Sequence, residues 1–108
     1  MEARLFFLQR ASAMLLAPLV LAHLGLILYA VRGGLTAEEI LGRTQGSVGW
    51  AFFYGAFVLA ASVHAPIGVR NVLREWTPWR GASLDIAMLA LGALLMAAGL
   101  RAVWAVTT

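Results

Sequence analysis

No cysteine occurs anywhere in this chain, which excludes disulfides, thiolate-bound zinc and iron–sulfur ligation by its own residues. Lysine is equally absent, and all eight basic residues are arginines set against five acidic ones. Charge is scarce as a whole: 12% of residues are charged and 62% are hydrophobic. The few arginines fall singly at the ends of apolar stretches and form no basic patch, so a nucleic-acid surface is not expected. A soluble domain of 108 residues has no interior large enough for so much apolar surface, and the composition is that of a membrane protein. Residues 1–10 carry Glu2 beside two phenylalanines, and the apolar run that follows is long and lacks a small-residue cleavage site. It therefore reads as a span and not as a secretory leader. No carboxylate stands in the middle of any apolar run and no segment repeats, which argues against a small proton-coupled transporter.

What is present is three apolar runs, near 11–31, 48–69 and 84–106. Each is close to the roughly 20 residues that cross a hydrocarbon core of about 30 Å. The chain is thus expected to be a single all-α membrane domain with three transmembrane helices. Arg10 and Arg32 bracket the first run, Trp50 and Tyr54 stand as interface anchors at the start of the second, and Trp104 marks the end of the third. The first linker is polar and glycine-rich, and Thr36 followed by Glu39 has capping-box spacing, which predicts a short interfacial helix. The stretch 70–81, with Trp76, Pro78 and Trp79, is expected to be a loop. Gly92, Ala93, Ala97 and Gly99 give the third run a face for close helix packing, and Asp85 reads as a first-turn residue favoured by the helix dipole. Five arginines (Arg4, Arg10, Arg70, Arg74, Arg80) fall on the side of the N-terminus and the second loop, against three (Arg32, Arg43, Arg101) on the other. The excess predicts a cytoplasmic N-terminus.

Only two histidines exist, His23 and His64, and each lies inside a span. An ionisable group there is costly and marks a functional site by default. A neutral imidazole is a good axial ligand of haem iron, and Gly68, one turn after His64, would leave room for a flat macrocycle. The alternative is an interhelical hydrogen bond to a serine or to a carbonyl freed by Pro18 or Pro66. At 1.5 Å per residue His64 would lie about 9 Å from Arg70 and His23 about 20 Å from Arg10, so their depths would differ by roughly 10 Å. One haem holds its axial nitrogens about 4 Å apart, on metal–imidazole bonds of ~2 Å. One chain is therefore poorly arranged to fill both axial positions of a single haem, and two haems shared with a neighbouring chain are the more natural arrangement.

Two motifs carry a family resemblance. One is His64-Ala65-Pro66-Ile67-Gly68-Val69-Arg70 with Glu75-Trp76 after it; the other is Leu8-Gln9-Arg10-Ala11-Ser12-Ala13, followed by His23 thirteen residues after the arginine. In this combination and order the chain resembles the haem b membrane-anchor (cytochrome b) subunits of succinate dehydrogenase and fumarate reductase, respiratory complex II. It departs from the family pattern in having Gln9 for histidine, Ala13 for glycine, and Glu75-Trp76 for an aspartate–tyrosine pair.

The resemblance implies that the three helices form half of a haem-binding bundle, completed by a second, identical or homologous anchor. It implies one or two haem b groups ligated by His64 and His23, with Gly68 beside the macrocycle and Arg70 on a propionate; Arg32 and Arg101 could do the same at a far-side haem, although snorkelling at span ends is the commoner role of such arginines. It further implies a quinone pocket built from Arg10, Ser12, Glu75 and Trp76, expected at one common depth. In the bland reading Ser12 bonds its own helix backbone and Glu75 pairs with Arg74 or Arg80. By the same resemblance the chain docks a flavoprotein and an iron–sulfur subunit on the cytoplasmic side of the inner (cytoplasmic) membrane. It would pass electrons between them and quinone and perform no dicarboxylate chemistry itself. A haem-free quinone-site anchor and a cytochrome b of another quinone-linked dehydrogenase are the alternatives.

Overall fold

The computed structural model describes residues 2–108, which form four helices: α1 Glu2–Gly33, α2 Ala37–Thr44, α3 Val48–Trp76 and α4 Ala82–Thr107. There is no strand among the described residues. α1, α3 and α4 are each long and apolar enough to cross a membrane, and the chain is a multi-pass all-α membrane protein. Its extents are 47 × 22 × 22 Å, the long one matching the ~48 Å that 32 residues of helix span at 1.5 Å each.

The helices outrun the apolar stretches that announced them. α1 begins nine residues before position 11 because alanine, arginine, leucine and glutamine prolong a helix as readily outside lipid as inside. α3 continues past residue 69 to Trp76, so the expected loop 70–81 shrinks to residues 77–81. Its stop is local: Thr77 precedes Pro78, which drives it from the helical region to φ −133°, ψ 162°. Gly81 then takes φ +89°, and α4 starts at Ala82, two residues ahead of the expected 84.

The expected interfacial helix is α2. The Thr36 hydroxyl oxygen accepts from Glu39 N at 3.2 Å, and the two side chains meet at 3.0 Å. Gly34 at φ +119° lets the Glu39 carboxyl fold close, since a Cβ there would fall 1.0 Å from Oε2. Thr36→Ala is expected to cost α2 about 1 kcal/mol, read as faster amide exchange over Ala37–Thr44 and nowhere else. A second cap was not foreseen: Ser47 Oγ accepts from Trp50 N at 3.1 Å and opens α3. The turn after α2 then closes the end of α4, with Gly46 N donating to Thr107 O, Thr44 Oγ1 to Val106 O and Gln45 Nε2 to Thr108 O. These contacts satisfy carbonyls that a helix C-terminus leaves open.

α3 is the middle helix, packed antiparallel on α1 to one side and α4 to the other. Against α4, a Cβ on Gly92 would lie 3.2 Å from Ser62 O and 3.4 Å from Pro66 Cγ, and one on Gly99 would lie 2.5 Å from Val58 Cγ1. These two glycines, seven residues apart, make the close approach. Ala97 is exposed and Ala93 only borders a groove, so half of the expected small-residue face lies off the seam. Against α3, α1 turns one stripe inward, running from Leu5 through Gln9, Ser12, Leu16, Leu19 and His23 to Leu26. Its alternating three- and four-residue spacing is that of a helix–helix seam. Most other described side chains of α1 are exposed, with Phe6, Phe7, Met14 and Leu21 each near 70% accessible. Such a surface is stable only against lipid or another chain.

Candidate functional site

The polar residues of the α1–α3 seam sit at two levels. At the first, the Ser12 hydroxyl donates to Gln9 O at 3.1 Å, and its oxygen lies 3.4 Å from His64 Nδ1. Ser12 is buried and His64 half-buried. Gly68, one turn on, faces α1 as well: a Cβ there would lie 3.4 Å from Gln9 Nε2. The missing side chain of Gly68 therefore admits the glutamine, and a macrocycle on that face would require Gln9 to swing aside. Gln9 Oε1 is itself buried without a hydrogen bond.

At the second level, His23 packs edge-on to Tyr54 with centroids 6.4 Å apart, and against Phe57 at 5.3 Å. Trp50 stacks on Tyr54 at 5.7 Å, so the two expected interface anchors belong to the aromatic cluster around His23. His23 also lines a cavity of about 280 Å³ with Ile40, Thr44, Gly99 and Ala102. Arg101, beside Ala102, is exposed.

The register fixes the separation of the levels. Ser12 lies opposite His64, and His23 is eleven residues farther along α1, which is about 16 Å at 1.5 Å per residue. This exceeds the 10 Å expected from sequence, because that figure put Arg10 and Arg70 at one level, whereas the Ser12–His64 register sets Arg70 about 6 Å farther toward the α1 N-terminal end.

The proposed haem ligands can be tested against these contacts. Neither histidine has both ring nitrogens engaged: His64 Nε2 and both nitrogens of His23 make no hydrogen bond to the described residues. No cluster of three or more metal-ligating side chains occurs among the described residues, but axial haem ligation needs only one imidazole per face. An available imidazole nitrogen at each level and the orphaned Gln9 Oε1 fit a site completed by another group.

Arg70 is tied to α4, with Nε donating to Asp85 Oδ1 at 2.9 Å. The side chains are 11% and 38% exposed. Asp85 therefore bridges helices, where the sequence suggested only a helix-dipole role. Pairs at least this buried lose about 3–5 kcal/mol when one partner is removed, and the part-exposure of Asp85 reduces that. Asp85→Asn is expected to lower the unfolding midpoint of the solubilised chain more than Ser83→Ala, an exposed position on the same turn that loses only the hydrogen bond donated by Trp79 Nε1.

The four residues expected to share a quinone pocket are not at one depth. Glu75 and Trp76 are eleven and twelve residues beyond His64, about 17 Å along α3 from the level of Ser12. Arg10 and Glu75 are exposed, and Trp76 is 83% exposed. Arg10 lies over the Phe6 ring at 5.9 Å. Arg80 donates to Thr77 O and Trp79 O and also reaches Arg74 O, which turns it toward the loop rather than toward Glu75. None of the four lines the apolar groove of about 480 Å³ that runs between α1, α3 and α4 past Leu8, Pro66, Met88 and Gly92 to the Arg70–Asp85 pair.

A family model described as the succinate dehydrogenase/fumarate reductase transmembrane subunit matches residues 1–99. No curated protein and no solved structure matches the chain. With three membrane-crossing helices and a match over nearly its whole length, the chain belongs to the family of transmembrane subunits that anchor succinate dehydrogenase and fumarate reductase, the membrane part of complex II.

Proposed function

We propose that this chain is a haem b cytochrome anchor: it docks the flavoprotein and iron–sulfur subunits at the membrane and carries electrons between them and quinone. His64 serves a haem on the side of the α1 N-terminus and His23 one on the far side, each shared with a second anchor chain, identical or homologous. The observation that carries the reading is the placement of two incompletely bonded imidazoles on one helix seam about 16 Å apart. Haem in such a low-dielectric site supplies one-electron chemistry tuned by its ligands.

Arg70 and Gly68 border the first haem in this reading. Arg70 offers a guanidinium suited to a propionate, although Asp85 holds its Nε. Arg10, Glu75 and Trp76 are assigned to quinone at the exposed rim, where Arg10 and the Trp76 indole donate hydrogen bonds and the Glu75 carboxylate moves protons. Ser12, buried against His64, belongs with the ligand. The arginine excess at the α1 N-terminal end supports a cytoplasmic N-terminus in the inner membrane. Purification of the complex in mild detergent tests the reading: a Soret band and co-purifying flavoprotein and iron–sulfur chains are expected. Absence of the Soret band would select the haem-free anchor.

A further inference from the structure

Ser12 contributes to His64 what a lone transmembrane serine rarely does. Serine has one hydroxyl proton and two acceptor lone pairs. Here the proton is committed to Gln9 O, the i−3 carbonyl of the same helix, at 3.1 Å. What the oxygen turns toward His64 Nδ1, 3.4 Å away, is therefore a lone pair. An acceptor facing Nδ1 selects the tautomer that carries the proton there, which leaves the lone pair on Nε2. Ser12 is buried and sits on the inward stripe of α1, so water does not compete for the contact.

We infer that Ser12 is a positioning residue for His64: it selects the imidazole tautomer protonated on Nδ1 and fixes the ring about its axis, with Nε2 as the iron-binding nitrogen. The inference rests on the haem reading of His64. Outer partners of this kind orient a ligating histidine and raise its basicity, and their loss typically lowers affinity for the metal group by about 10–100-fold. The contact also couples the two helices. α1 supplies the acceptor and α3 the ligand, so a shift of α1 along the seam alters the haem ligand without touching the haem. Among the described residues His23 has no hydroxyl hydrogen-bonded to it: it packs against aromatic rings, and Thr44, which lines the same cavity, donates to Ile40 O and Val106 O. The two haems are thus expected to differ in potential.

The test compares wild type, Ser12→Ala, Ser12→Thr and His64→Ala. In the haem-free full chain labelled with ¹⁵N-histidine in nanodiscs, ring nitrogen shifts should report an Nδ1–H tautomer at His64 in wild type and Ser12→Thr, and its loss in Ser12→Ala. His23 shifts should not change. In the assembled complex Ser12→Ala should release the His64 haem at least tenfold faster and raise its midpoint potential, because a less basic imidazole stabilises ferric iron less; Ser12→Thr should restore both. Unchanged ring shifts and an unchanged potential in Ser12→Ala, with His64→Ala still losing a haem, would overturn the role of Ser12 alone. Retention of every haem in His64→Ala would overturn the ligand assignment beneath it. A raised quinone KM in Ser12→Ala with unaltered ring shifts would return Ser12 to the quinone pocket and contradict the inference.

Discussion

His64→Ala is expected to remove one haem from the purified complex and leave another, while His23→Ala removes the second and spares the first. The expectation follows from the register of the seam. Ser12 pins His64 opposite the third turn of α1, and the Tyr54–Phe57 cluster pins His23 about 16 Å farther on. Axial nitrogens of a single haem lie about 4 Å apart on ~2 Å bonds, so the two imidazoles of one chain cannot share one iron. Each substitution deletes a proposed ligand outright, so the affected haem should be lost rather than weakened. Difference spectra of the two variants should be complementary, and their sum should reproduce wild type. A variant lacking both histidines should show no Soret band yet keep its helical circular dichroism, since the closest packing of the chain lies on the other seam, between α3 and α4.

The second large effect concerns that seam. A Cβ on Gly99 would stand 2.5, 2.8 and 3.2 Å from three atoms of Val58, a β-branched residue whose rotamer has little freedom. Gly99→Ala should destabilise the solubilised chain by about 1–3 kcal/mol, the usual cost of overpacking. Val58→Ala in the same chain should recover most of it by emptying the space the new methyl enters. Gly55→Ala, where a Cβ meets nothing within 4 Å, is the control. The readout is the midpoint of thermal unfolding in detergent for the four chains. Failure of Val58→Ala to rescue would mean that the two helices do not meet at this register.

Much of this architecture was legible in the residues, and the illegible part has one physical cause. Hydropathy marks where lipid is, not where a helix ends. It located three spans but started α1 nine residues late and stopped α3 seven early, although Pro78 after Thr77 already carried the true stop. The capping box at Thr36 was readable because it is local chemistry. The inward faces were not, because in a membrane helix the outward face is as apolar as the inward one and amphipathicity no longer separates them. The polar minority does separate them: Gln9, Ser12 and His23 share one stripe at seam spacing, a signal present in the sequence that identifies the α3-facing side of α1. Gly92 and Gly99 could not be told from Ala93 and Ala97 without knowing which of them meets Val58 and Pro66. Asp85 looked like a helix-start residue because its partner, Arg70, belongs to a part of α3 that had been read as loop. The two histidine levels follow from helical rise, and the register of α3 against α1, which no sequence spacing reveals, widened their separation.

The central claim is that each histidine level serves its own haem. Pulsed EPR on the oxidised wild-type complex measures this directly, as the distance between ferric low-spin centres. Two bis-imidazole signals with irons roughly 16 Å apart are predicted from the helix rise between the levels. A single low-spin centre, lost equally in His64→Ala and His23→Ala, would contradict it.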